Sequence, residues 1–61
     1  MPMIQITMLA GRTTEQKRKI AERMTAVMTE EAGVKSEAVV GAFYEVPKES
    51  YARAGVLLSD R

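Results

Sequence analysis

The sequence predicts an α/β fold: one β-α-β unit with parallel strands and a short C-terminal hairpin, in a single domain over residues 1–61. Three observations carry this. Ile4, Ile6 and Met8 alternate with Gln5, Thr7 and Leu9, which reads as a strand over Met3–Leu9. A long amphipathic stretch follows, opened by a Thr-x-x-Gln pattern and closed by glycine. A second apolar run, residues 38–46, stops at Pro47. Strand, long helix and strand in this order form a right-handed crossover with the two strands parallel.

The first strand has a wholly apolar face, expected under a helix, and a mixed face carrying Met3, Gln5, Thr7 and Leu9, suited to a second subunit or a site. Gly11 supplies a turn and places Arg12 just outside the strand. Thr13 is the expected N-cap and Gln16 its capping-box partner, with Glu15 favourable at the positive end of the helix dipole. The helix is predicted over Thr14–Ala32, with Gly33 as its stop. Ile20, Met24, Val27 and Met28 form the expected core stripe, widened by Ala21 and Ala32. Glu15 and Lys19 are spaced as an i,i+4 ion pair. Lys17, Arg18 and Lys19 read as a solvated helix face, because acids are interspersed.

Residues 34–37 are a connector. In the second strand Val39, Gly41 and Phe43 share one face, and Val40, Ala42, Tyr44 and Val46 the other. Both faces are largely apolar, which predicts a strand covered on both sides. Gly41 weakens a strand interior unless something approaches closely there. The tail, residues 48–61, holds a short apolar stretch at Val56, Leu57 and Leu58 after Gly55 and reads as a small hairpin or arm, expected to pack on a neighbouring subunit.

Composition narrows the function classes. A chain of 61 residues buries only about 60% of the surface its unfolded form exposes. Small chains compensate with disulfides, a metal or oligomerisation. This one has no Cys and no His, yet 46% of its residues are hydrophobic, so oligomerisation is expected. Nine basic and eight acidic residues give a net charge of +1, which is no footprint for nucleic acid. No apolar run approaches the roughly 20 residues of a membrane span, and no signal peptide is apparent. A soluble cytoplasmic protein is expected.

Without His or Cys, the available general bases are a carboxylate, a lysine or the N-terminal amine. The usual metal ligands are missing, as is a glycine-rich phosphate loop, and Ser36, Ser50 and Ser59 have no histidine to activate them. No metal and no cofactor are therefore expected. Pro2 directly follows Met1. A small residue there normally permits removal of the methionine, which leaves a secondary amine able to take and return a proton. Burial in an apolar pocket beside a cationic arginine would lower its pKa towards neutrality. Many strands also begin with proline because the first residue need not donate to the ladder, and position alone favours that structural role. Arg12, at the far end of the strand, can hold a carboxylate bidentately.

The run Pro2-Met3-Ile4-Gln5-Ile6, then Leu9-Ala10-Gly11-Arg12-Thr13-Thr14-Glu15-Gln16-Lys17, resembles the opening of the 4-oxalocrotonate tautomerase family, and the spacing to Glu45-Val46-Pro47-Lys48 and Tyr51-Ala52-Arg53-Ala54-Gly55 is similar too. The resemblance covers the whole chain. It implies dimers that join their sheets, assembled as a trimer of dimers: a homohexamer, with a heterohexamer as the other possibility. It implies cofactor-independent keto–enol tautomerisation of small unsaturated 2-oxo or 2-hydroxy acids such as 2-hydroxymuconate. Pro2 matches the family's catalytic base and Arg12 the arginine that binds a substrate carboxylate. Tyr51 stands where the best-known members have a phenylalanine wall, and its hydroxyl leaves the effect on the amine open. Val40 departs from the family, whose best-known enzyme has there an arginine from another subunit that polarises the 2-oxo group. Arg53 offers a replacement charge, and as a base in place of an acid it disfavours hydration chemistry. The alternative is a non-catalytic or weakly promiscuous subunit of a homo- or heterohexamer, for which Val40 is the argument.

Overall fold

In the computed structural model, which describes residues 2–61, β1 (Met3–Leu9) and β2 (Val40–Val46) pair in parallel along their whole length. Met3 stands opposite Val40 and Leu9 opposite Val46. Met1, whose expected removal would free the Pro2 nitrogen, lies outside the described residues. The crossover is α1 (Thr14–Ala32), and both of its ends are set by local chemistry. Thr13 Oγ1 accepts from the Gln16 backbone N–H at 3.0 Å, and Gln16 Oε1 accepts from the Thr13 N–H at 2.9 Å. Two donors that the helix itself cannot satisfy are thereby paired. At the other end Gly33 takes φ 70°, a left-handed conformation that stops the helix without a Cβ penalty.

The helix packs on the face formed by Ile4, Ile6 and Met8 of β1 with Gly41 and Phe43 of β2. The register puts Ile4 beside Gly41 and Ile6 beside Phe43. Gly41 does have the close neighbour its position demands: a Cβ there would stand 2.6 Å from the Met24 Cε. The helix side chain lies across the strand where the side chain is missing. Lys17 Nζ meets Glu45 Oε1 at 3.2 Å and ties the first turn of α1 to the far end of β2.

Several expectations change. A 3-10 turn, Ser36–Ala38, occupies the predicted start of the second strand, so β2 begins at Val40. The second strand is not covered on both sides within the protomer: Val40 and Tyr44, on the face away from α1, are 40% and 49% exposed. Among the described residues, only a weak 3.4 Å hydrogen bond from Gln5 Nε2 to Tyr44 Oη spans that face. Val27 is 53% exposed, because it lies on a flank of the helix that a two-stranded sheet is too narrow to cover. Glu15 pairs with Arg18 at 3.2 Å in place of Lys19, and Lys17 is half-buried against Glu45 where a solvated position was expected.

Beyond Pro47 the chain leaves the body as an arm. A 3-10 turn, Lys48–Ser50, leads into β3 (Ala52–Arg53), which pairs antiparallel with β4 (Val56–Leu57); a final 3-10 turn, Leu58–Asp60, follows. The hairpin loop is Ala54-Gly55, both with positive φ (53° and 80°), which matches the right-handed twist of the strands. The protomer extends 44 × 23 × 14 Å with a radius of gyration of 14.8 Å. A self-contained chain of this length would have about 10.5 Å. No residue among the described ones is fully buried, which fits a protomer completed by others. No helix among the described residues is long and apolar enough to cross a membrane.

Candidate active site

Pro2 immediately precedes β1 and is half-buried. Its carbonyl accepts from the Val40 N–H at 3.0 Å, so the ladder holds residue 2 at the mouth of the parallel pair. Val40, the position where an arginine was expected from the resemblance, is thus the backbone neighbour of Pro2 within the same chain. Its side chain lies on the sheet face away from α1, beside Met3.

Arg12 is exposed at the opposite end of the sheet. From Pro2 to Leu9 the strand rises about 23 Å, and Arg12 follows beyond it. An amine and a guanidinium that act on one small acid must lie within a few ångströms of it. Pro2 and Arg12 of the same protomer therefore do not serve one site. The strand itself requires any site that uses both to draw them from different chains.

The arm begins at the end of β2 that carries Val46, opposite Leu9, so its root lies near Arg12 and one strand length from Pro2. Tyr51 is held there from both sides: its N–H donates to the Lys48 carbonyl at 3.4 Å, and its carbonyl accepts from the Leu58 N–H at 2.8 Å. Its ring is 43% exposed and available to a neighbour. Arg53 sits in β3 opposite Val56. Its carbonyl accepts from Arg61 Nη2 at 3.2 Å, which brings a second guanidinium to the hairpin.

Around Arg12 the sequence reading missed something. Arg12, Gln16, Lys19, Ile20 and Arg23 line an open groove of about 380 Å³. The signal was present: residues 12, 16, 19 and 23 recur at helical spacing and so share one flank. It is hidden because Lys17, Arg18 and Lys19 read as one run. The three point in different directions: Lys17 to the sheet, Arg18 to Glu15, and Lys19 into the groove.

A two-stranded parallel sheet under one helix, opened by proline and followed by Gly-Arg and a capped helix, defines a class of small β-α-β proteins. The chain matches the family model described as tautomerase enzyme over residues 2–61, and it belongs to the tautomerase family. It is 43% identical over 60 residues to the 2-hydroxymuconate tautomerase of Bacillus subtilis, covering 98% of this chain and 97% of that one. It superposes with a TM-score of 0.92 on the crystal structure of YwhB, a homologue of 4-oxalocrotonate tautomerase, at 42% identity and 98% coverage of both chains. A heterohexamer 4-oxalocrotonate tautomerase from Chloroflexus aurantiacus gives a TM-score of 0.89 at 32% identity, covering 98% of this chain and 97% of that one. The protein is an isomerase with tautomerase function.

Proposed function

We propose that the chain interconverts the enol and keto forms of small unsaturated 2-hydroxy and 2-oxo acids, such as 2-hydroxymuconate, with Pro2 as the general base. The observation that carries this reading is the placement of Pro2. It is pinned through its carbonyl to Val40, half-buried, in a tautomerase-family chain that has no histidine or cysteine to act instead. With Met1 removed, the ring nitrogen carries a basic lone pair. It takes the proton of the 2-hydroxyl group as the enol collapses to the ketone, then returns that proton to a carbon of the conjugated chain. One O–H bond breaks and one C–H bond forms, with no change of oxidation state. Arg12 of a neighbouring protomer holds the carboxylate and so fixes the reacting atoms against the amine. Tyr51 supplies an apolar wall, and Arg53 a further cation at its edge.

The assembly that brings these groups together is a homohexamer built as a trimer of dimers. The heterohexameric relative supports mixed assembly as an option for this architecture. Val40 favours a second reading, a weakly promiscuous subunit whose 2-oxo oxygen lacks a guanidinium from that position. The decisive experiment compares the trimmed chain with one whose residue 2 is kept amidated by an N-terminal extension. Mass spectrometry should show active enzyme to lack Met1. The blocked chain should lose about 10²- to 10⁴-fold in turnover of 2-hydroxymuconate, the range for loss of a positioned base. Full activity with Met1 attached would rule out Pro2.

A further inference from the structure

We infer that Lys19 and Arg23 of α1 continue the Arg12 anchor and bind the second carboxylate of dicarboxylate substrates, which makes them selectivity residues of the site. The inference rests on the proposed role of Arg12 and extends it along the groove. Three features of that groove support it. Its charged walls are all of one sign: Arg12, Lys19 and Arg23 line it, with no acid among the lining residues. None of the three forms an ion pair among the described residues, whereas Lys17 and Arg18 are neutralised by Glu45 and Glu15. The groove also has the build of a ligand site. Ile20 gives it a half-buried apolar floor, Gln16 is fixed by the capping box, and its volume lies within the usual range of about 300–1,000 Å³ for small-molecule sites.

Direction matters as much as charge. Lys19 and Arg23 are one helical turn apart, a rise of about 6 Å, so they make a paired grip. Arg23 adjoins Met24, whose side-chain tip lies over Gly41 near the Val40 end of the sheet. The groove therefore runs from Arg12 along the body, and a single protomer supplies all three cations. An extended diacid with one carboxylate on Arg12 finds the next fixed positive charge here.

The test uses the assembled enzyme and two substrates, 2-hydroxymuconate with two carboxylates and phenylenolpyruvate with one. In the Lys19→Gln/Arg23→Gln double variant, the ratio of kcat/KM for the diacid over the monoacid should fall about tenfold, the lower end of what a charge-assisted hydrogen bond contributes. The loss should appear mainly in the KM of the diacid. The charge-conserving Lys19→Arg/Arg23→Lys variant should restore the ratio. An unchanged ratio overturns the inference, as do proportional losses on both substrates. So does an Arg53→Ala variant that alone abolishes the diacid preference. Dissociation of the double variant in sedimentation would assign the groove to acids of a neighbouring protomer and overturn it as well. Failure of the underlying reading is distinguishable: Arg12→Ala would then leave both substrates untouched.

Discussion

The body of the protomer and its C-terminal arm are built on different terms. The body has a seven-residue parallel ladder, a helix closed by its own side chains at one end and by glycine at the other, and an ion pair joining helix to sheet. The arm has a two-residue ladder, and Tyr51, Val56 and Leu57 are 36–43% exposed. A hairpin that short does not persist alone in water. The body's conformation is encoded by neighbours in sequence, whereas the arm's apolar side chains make sense only against another chain. Yet the body is also open, since none of its described residues is fully buried. We propose that the arm of one protomer contributes to the stability of the next.

The strongest way to break this comparison is Leu57→Asp. A carboxylate on the arm's apolar strand must be desolvated when the chains assemble, at about 2 kcal/mol or more per site. Sedimentation at micromolar concentration should show dissociation, and circular dichroism should show α1 lost with it. A dissociated protomer that keeps its full helical signal would show that the body stands alone. A smaller effect is expected from Thr13→Ala, which removes the cap from α1 and leaves the arm intact. It should lower stability by about 1 kcal/mol in urea unfolding at fixed protein concentration. No change would mean that packing alone sets where the helix starts. The smallest effect should come from Ala54→Gly in the arm. Ala54 sits at φ 53°, and glycine relieves the strain of a left-handed alanine at some cost in chain entropy. A net gain of about 0.5 kcal/mol is expected, read as a raised unfolding midpoint with unchanged assembly; a loss would show that the Ala54 methyl is itself a contact between chains.

The ends of α1 were legible because each depends on residues within one turn of it: Thr13 with Gln16, and Gly33. The bounds of β1 were legible from alternation and from the Gly-Arg turn. The close approach at Gly41 could be inferred, but not that Met24 makes it, since the crossover decides which helix residue lies over which strand residue. The same holds for Lys17 and Glu45, which are 28 positions apart and meet only once the helix has been laid on the sheet. Local rules therefore favoured Glu15–Lys19, and the observed pairs differ. Of the proposed site residues, Pro2 and Arg12 stand out in the sequence by their chemistry. The groove does not, because its cations are spaced among others that serve the fold.

The length of β1 has a consequence for how such a protein can evolve. Because one strand holds Pro2 and Arg12 apart, a site using both joins the proline of one chain to the arginine of another. After duplication of the gene, one copy can lose the base and the other the anchor without any change to the contacts between them. Each lost residue is then dispensable to the fold of its own chain, and each retained one is indispensable to its partner's chemistry. Obligate division of labour between paralogues thus lies one substitution per copy away, and a strand of seven residues is enough to open that route.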